Sequence, residues 1–354
     1  HITESGCPVV AMDVPSGVDP DTGRVEGVAI YADLTTTFHG SKPGLHIQPG
    51  RACSGTVEVI DIGIPTPVRS APTAWLLSAG TNPGSGRDVT SDKYSSGAVL
   101  VIAGSPGLTG AGILTSRATL RAGAGLTVAA VPASVQPVYA TALIEVMAAP
   151  IPDSDGHFTA ESVEPVVTQA ARVGAIAIGP GLGRDQRTNP FVRAVLDAVV
   201  LPAVIDADGL FHLGRRPAWL RERPSPTIIT PHAGEAARLL GRERRDIESN
   251  RLASARELAD VTGAVTVLKG PGAIVAAPDG TAIIDGIGTS ALATAGSGDV
   301  LTGIVAALLA KGLDPVRAAG TAVTLHSRAG VACGMGGGTM AGDIIEALPR
   351  VIGT

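Results

Sequence analysis

Short apolar runs, each closed by glycine or a polar turn, recur along most of this chain. Ala98–Ala103 reads Ala-Val-Leu-Val-Ile-Ala, with no polar position on either face of a strand. Such a strand belongs inside a parallel sheet covered by helices on both sides. The same pattern predicts strands at Leu126–Val131, Ala175–Ile178, Leu201–Ile205, Thr227–Ile229 and Val265–Leu268. Ala273–Ala277 and Thr281–Ile284 flank Pro278-Asp-Gly280, which predicts a hairpin. Earlier strands are expected at Cys7–Val14, Asp33–Phe38 and Thr56–Ile60. Helical spacing takes over at Val300, Leu301, Ile304, Val305, Leu308 and Leu309, which fall in two adjacent columns and predict a buried helix. Another helix runs through Arg121, a third starts at Asp314-Pro315 and contains His326, and a glycine loop at Gly336–Gly338 precedes the last. Alternation of this kind predicts an α/β sandwich around a mainly parallel central sheet.

Residues 64–92 break the pattern: they are rich in Pro, Ser, Thr and Gly, with Trp75-Leu-Leu77 as a docking turn. We place a boundary near residue 66, giving segments 1–65 and 66–354. The chain opens with His1 rather than Met inside what reads as a domain, so a preceding portion is expected. High Gly and Ala and few aromatics suit close helix–sheet packing. The formal net charge of −5, with no Lys/Arg-rich run, argues against nucleic acid and anionic membranes as partners. Apolar runs such as Ile304–Ala310 are too short to span a bilayer. Cys7, Cys53 and Cys333 are scattered, which reads as free thiols in a reducing, cytoplasmic setting.

The chemistry concentrates where strands end. In open α/β sheets ligands bind at the carboxyl edge, and four turns there are distinctive: Gly179-Pro-Gly-Leu-Gly183, Asp206-Ala-Asp-Gly209, Thr230-Pro-His-Ala-Gly-Glu235 and Lys269-Gly-Pro-Gly272. Thr230 reads as an N-cap with Pro231 as the first helical residue. Lys269 among glycines suits a nucleotide phosphate, although the sequence is not a Walker A loop. The Gly-rich turn Gly104–Gly112 would bring the backbone of Gly110 and Ala111 to a ligand. Gly296, Ser297 and Gly298 open the apolar helix, whose first N–H groups make an anion site. Asp299 stands there too. Taken alone, it reads equally as a helix cap or as a base for an attacking hydroxyl.

In order, Lys93-Tyr-Ser-Ser-Gly97, Ala103-Gly-Ser105, Gly110-Ala-Gly112, Arg121-Ala-Gly-Ala-Gly125, Gly179–Gly183, Asp206-Ala-Asp-Gly-Leu210, Thr230–Glu235, Leu268-Lys-Gly270 and Ala295–Gly303 resemble the ADP-dependent NAD(P)H-hydrate dehydratases of the ribokinase-like superfamily. Lys93-Tyr94-Ser95 departs from the family's usual His-Lys-Gly. Upstream, Asp13-Val-Pro-Ser-Gly17, Ala32–Phe38, Lys42-Pro-Gly44 and Val59–Gly63 resemble the closing part of the Rossmann-like NAD(P)H-hydrate epimerase domain.

The resemblance implies repair of hydrated NADH or NADPH (the S epimer) at the expense of ADP, with ATP as the alternative and Mg2+ accompanying the nucleotide. It gives Asp299 as the base, and Gly296, Ser297 and Gly298 as the anion hole. Lys269, Gly270, Pro271, Gly272, Ala273 and Gly298 would hold ADP. Ala111, Gly181, His232 and Asp299 would hold the hydrated dinucleotide. In an intact epimerase fold Asp13 would contact the nucleotide and Ser16 a potassium ion. Here, without the upstream phosphate motif, residues 1–65 read as a fragment and structural appendage without epimerase activity. A homo-oligomer is expected. The alternatives are a hydroxymethylpyrimidine-type kinase on the same fold and a nucleotide-binding module without turnover.

Overall fold

A computed structural model of the chain describes residue 2 and residues 6–65, 74–78 and 95–352. The boundary near 66, Lys93, Tyr94 and most of the Pro/Gly-rich stretch lie outside these residues.

Two sheets form. The first has three parallel strands, β1 (Val10–Met12), β2 (Leu34–Phe38) and β3 (Thr56–Ile60), in that order. The second has ten. In chain order they are β4 (Trp75–Leu77), β5 (Ala98–Ile102), β6 (Leu126–Pro132), β7 (Met147–Ile151), β8 (Ala175–Ile178), β9 (Ala203–Ile205), β10 (Thr227–Ile229), β11 (Val265–Leu268), β12 (Ile274–Ala276) and β13 (Ala282–Asp285). Across the sheet they run β4-β13-β12-β11-β10-β9-β8-β5-β6-β7. The β11–β12 and β12–β13 pairs are antiparallel and the others parallel.

The continuous apolar pattern of β5 has its expected consequence. Val99 and Val101 join a core on one face of the sheet, Leu100 and Ile102 a second core on the other, and all four are fully buried. Helices Thr109–Arg121, Ser297–Ala310, Pro315–Cys333 and Ala341–Val351 supply the first core. Helices Val163–Ala170, Thr188–Ala198, Ala233–Leu240 and Arg251–Thr262 supply the second. At about 1.5–3 kcal/mol for each large aliphatic side chain fully buried, this double cover is what holds the central strands.

Three local expectations change. Trp75–Leu77 is not a docking turn but an edge strand, parallel to β13. Gly336–Gly338 closes into a short 3-10 turn before the last helix. The N-cap of helix Ala233–Leu240 is His232, two residues after Thr230. The chain is still committed to the sheet at Pro231, whose carbonyl accepts from Lys269 N–H at 2.8 Å.

Candidate active site

Strands β8 to β11 end side by side, so their closing turns form one rim. Gly179 (φ +131) packs so close to the turn after β9 that a Cβ there would lie 1.8 Å from the Asp206 carbonyl oxygen. Across the rim begins helix Ser297–Ala310. Its N-cap, Gly296, has φ +83, a left-handed conformation that favours glycine, and a Cβ there would also press on Leu114 Cδ1 at 2.5 Å. No side chain caps this helix. Ser297 N–H donates to the Thr294 carbonyl at 3.3 Å. The Gly298 and Asp299 N–H groups have no partner among the described residues, so two amides of the first turn are open to an anion.

Lys269 and Asp206 form the electrostatic centre. Lys269 Nζ donates to Asp206 Oδ1 at 2.6 Å, and Thr302 Oγ1 donates to Asp206 Oδ2 at 2.6 Å. Thr302 Oγ1 also lies 3.1 Å from the Gly298 carbonyl. A Cβ on Gly298 would lie 3.1 Å from Lys269 Nζ, which places the ammonium over the start of the helix. Burial alone would lower the Lys269 pKa, but the Asp206 and Glu235 carboxylates outweigh it and hold the ammonium charged. Asp299 behaves oppositely. Burial, then the Asp206 charge, push its carboxyl up to about 7 against the pull of Lys269. Among the described residues no side-chain hydrogen bond from Asp299 to a helix amide is present.

Ala111 is brought beside Asp299 through Thr115, whose Oγ1 lies 3.0 Å from the Ala111 carbonyl and 3.1 Å from that of Asp299. Gly181 (φ +65) abuts Leu108, where a Cβ would meet the carbonyl at 2.2 Å, and its own carbonyl accepts from Ser105 Oγ at 2.9 Å. The two Gly-rich turns are thereby locked together. His232 Nδ1 accepts from the Gly234 and Glu235 amides at 2.9 and 3.2 Å, and its Nε2 lies 3.4 Å from Glu235 Oε1. Burial and then the Lys269 charge lower its pKa.

On the other side of the helix start lies a cavity of ≈ 670 Å³. Lys269–Ala273, Ser297 and Gly298 line it beside an apolar portion that includes Leu292, Leu301 and Val323. Ala111, Gly181 and Asp299 are not among its walls. The two groups meet at Gly298–Asp299. Asp13 and Ser16 join neither: they belong to the small sheet, where Asp13 accepts from Lys42 Nζ, Thr37 Oγ1 and Phe38 N–H.

Other residues support the site without having been singled out in the sequence. Buried Arg251 sits beneath the nucleotide turn and donates to the Leu268, Lys269 and Gly272 carbonyls at 3.2–3.3 Å. Burial lowers its pKa to about 10. His326 Nε2 lies 3.0 Å from Ser297 Oγ, and burial drops its pKa to about 4, so it is neutral. Asp206 lies in a turn the sequence marks, Asp206-Ala-Asp-Gly209, but its pairing with Lys269 does not show there. Nothing local marks Arg251 or His326.

A family model described as NAD(P)H-hydrate dehydratase matches residues 99–350, and one described as YjeF-related protein N-terminus matches residues 1–44. A bifunctional NAD(P)H-hydrate repair enzyme Nnr of Moorella thermoacetica is 41% identical over 355 residues, covering 97% of this chain and 66% of that protein. The chain thus spans just under two thirds of that relative's length. An ADP/ATP-dependent NAD(P)H-hydrate dehydratase from Bacillus subtilis, co-crystallized with ATP/Mg2+, is 31% identical with a TM-score of 0.63, covering 75% of this chain and 92% of that one. A ribokinase-like protein from Enterococcus faecalis shares the fold with a TM-score of 0.67 at 23% identity, over 80% and 99% of the two chains. With the dehydratase family model matching residues 99–350, well over half of its length, the chain belongs to the NAD(P)H-hydrate dehydratase family.

Proposed function

We propose that the protein dehydrates the S epimer of hydrated NADH or NADPH, consuming ADP and yielding reduced nicotinamide nucleotide, AMP and phosphate. The observation that carries this reading is Asp299: a carboxyl raised to about 7, beside two open helix amides and a charged lysine. ADP lies in the ≈ 670 Å³ cavity, held by Lys269, Gly270, Pro271, Gly272, Ala273 and Gly298. The hydrated dinucleotide lies on the Ala111 and Gly181 side and reaches His232, which also lines the nucleotide cavity, so the reacting groups meet at Gly298–Asp299.

Asp299 takes the proton of the ring hydroxyl as its oxygen attacks the β-phosphorus of ADP, and AMP leaves. The Gly298 and Asp299 amides, with Lys269, stabilise charge on the moving phosphoryl group. Phosphate then departs from the ring, the adjacent carbon loses a proton, and the double bond returns.

A Mg2+ ion accompanying the nucleotide would supply charge neutralisation on the phosphates and would be held chiefly by phosphate and water. No group of three or more His, Cys, Asp or Glu side chains among the described residues could hold a metal ion. Asp206 is already engaged by Lys269 and Thr302, and Asp299 would be the carboxylate nearest the helix start to hold one of the ion's waters.

Segments 1–65 and 66–354 are two units in this reading, in a cytoplasmic homo-oligomer. No helix among the described residues is long and apolar enough to cross a membrane. The test is incubation with hydrated NADH and ADP, then ATP, following the return of reduced-nicotinamide absorbance. Return no faster than without nucleotide contradicts the reading.

A further inference from the structure

The nucleotide cavity has a wall that does not come from the dehydratase domain. Gln48 and Arg51 line it, from the short helix Gly50–Ser54 and the residues just before it. Both lie outside residues 99–350, the part matched by the dehydratase family model. The segment is pinned in place. Ile47 is 1% exposed and packs in the same core as Ile274 and Ile284 of the β12–β13 hairpin. Arg51 Nη2 donates to the Gly286 carbonyl at 2.8 Å, and Nη1 lies 3.5 Å from that of Asp285. A Cβ on Gly272, within the nucleotide turn, would come 3.3 Å from the His46 carbonyl.

The chemistry of this wall is specific. Gly298 and Lys269 line one part of the cavity together, where phosphate charge would be met. Arg51 stands at the other cluster, formed by Gly272, Asp285 and Gly288. The Asp285 carboxylate is already satisfied by Ile287 N–H, Gly288 N–H and Ser327 Oγ, so it does not claim the guanidinium. Of its five N–H donors Arg51 uses two on backbone carbonyls, which leaves donors and a flat cationic face for a ligand. The Gln48 amide makes no hydrogen bond with the described residues, so a half-buried donor–acceptor group faces the cavity without a protein partner.

We propose that the N-terminal segment is a working wall of the nucleotide site, with Arg51 and Gln48 contacting the nucleoside half of bound ADP. A planar cation beside a base face and an amide beside base or ribose polar atoms are suited to that role. The segment is then more than an appendage, because nucleotide affinity depends on its staying docked. This inference rests on the proposed use of ADP.

The test is calorimetric titration of ADP and of AMP into the whole chain and into Gln48→Ala, Arg51→Ala and Arg24→Ala, with a thermal melt of each. Arg24 belongs to the same segment, but its guanidinium is on Glu26 at 2.6 Å, and its variant is expected to bind like wild type. Gln48→Ala and Arg51→Ala are expected to weaken ADP and AMP alike, by roughly three- to thirty-fold, the span of a lost neutral or charge-assisted hydrogen bond. Arg51→Ala also removes the bonds to Gly286 and Asp285. If its melt shows the segment has loosened, Gln48→Ala, which breaks no protein bond, decides alone. Wild-type affinity in Gln48→Ala, with ADP binding intact in wild type, overturns the inference. So does a loss confined to ADP, which would put these side chains on the β-phosphate. No ADP binding by wild type refutes the proposed function, and this inference with it.

Discussion

Asp299→Asn separates the catalytic role of this residue from any structural one. The substitution keeps the shape but removes both charge and basicity. In the folded chain burial, then the Asp206 charge, push the carboxyl from an ordinary 3.8 up to about 7. A carboxylate raised in this way contributes stability that is complete below the unfolded value and is lost as pH climbs through the folded one. At about 1.36 kcal/mol per pH unit, the gap bounds that loss at about 4 kcal/mol. The measured effect will be smaller, because the charge is shared with Asp206, Glu235 and Lys269 and water screens a half-buried group. Asn does not titrate, so the variant should match wild type in thermal melts near about pH 4 and exceed it above about pH 7. Turnover should respond oppositely. Wild-type rate should rise with pH toward about 7 as the base ionises, and the variant should lose about 10²- to 10⁴-fold and that pH dependence with it. ADP affinity should hold or improve slightly, since a like charge is gone. The assay is the return of reduced-nicotinamide absorbance across pH, beside melts of both proteins in the same buffers. Near-wild-type turnover by Asp299→Asn refutes the reasoning.

Lys269→Ala should weaken ADP binding by roughly ten- to a hundred-fold, the span of a charge-assisted phosphate contact. It should also lower stability by about 3–5 kcal/mol, because Asp206 is left buried without its partner. Adding Asp206→Asn should restore the stability but not the affinity, as read by denaturant melts and calorimetry; restored affinity would mean that Lys269 only neutralises Asp206. Gly179→Ala, with its Cβ 1.8 Å from a backbone oxygen, should destabilise far more than Gly298→Ala, whose Cβ meets the end of a lysine side chain at 3.1 Å. Equal midpoints in denaturant would contradict that packing argument.

The central strands were legible because burial on both faces leaves a sequence mark, an apolar run without alternation, and β8, β10 and β11 fall where that mark predicts. The edges were not. β7, Met147-Ala-Ala-Pro-Ile151, carries a proline tolerated at a sheet edge and shows no clear period. At three residues, β4 is too short to show one. The site divides the same way. Turns at strand ends are local, so Lys269, His232 and Asp299 could be picked out from the chain. What sets their chemistry is not local. Asp206 and Lys269 meet across 63 residues, and Arg51 reaches Gly286 across 235. Nothing in a stretch of sequence announces either pair, because each arises only when separate strand ends and segments are folded onto one rim.

The most direct test of the proposed reaction is its stoichiometry. The protein is mixed with hydrated NADH and a limiting amount of ADP, and reduced nicotinamide, AMP and inorganic phosphate are counted, with phosphorus NMR for the phosphate species. The account predicts that the three products appear together in equal amounts until ADP is spent. ADP consumed into a stable phosphorylated nicotinamide product, as a kinase would leave, or reduced nicotinamide formed without AMP, would contradict it.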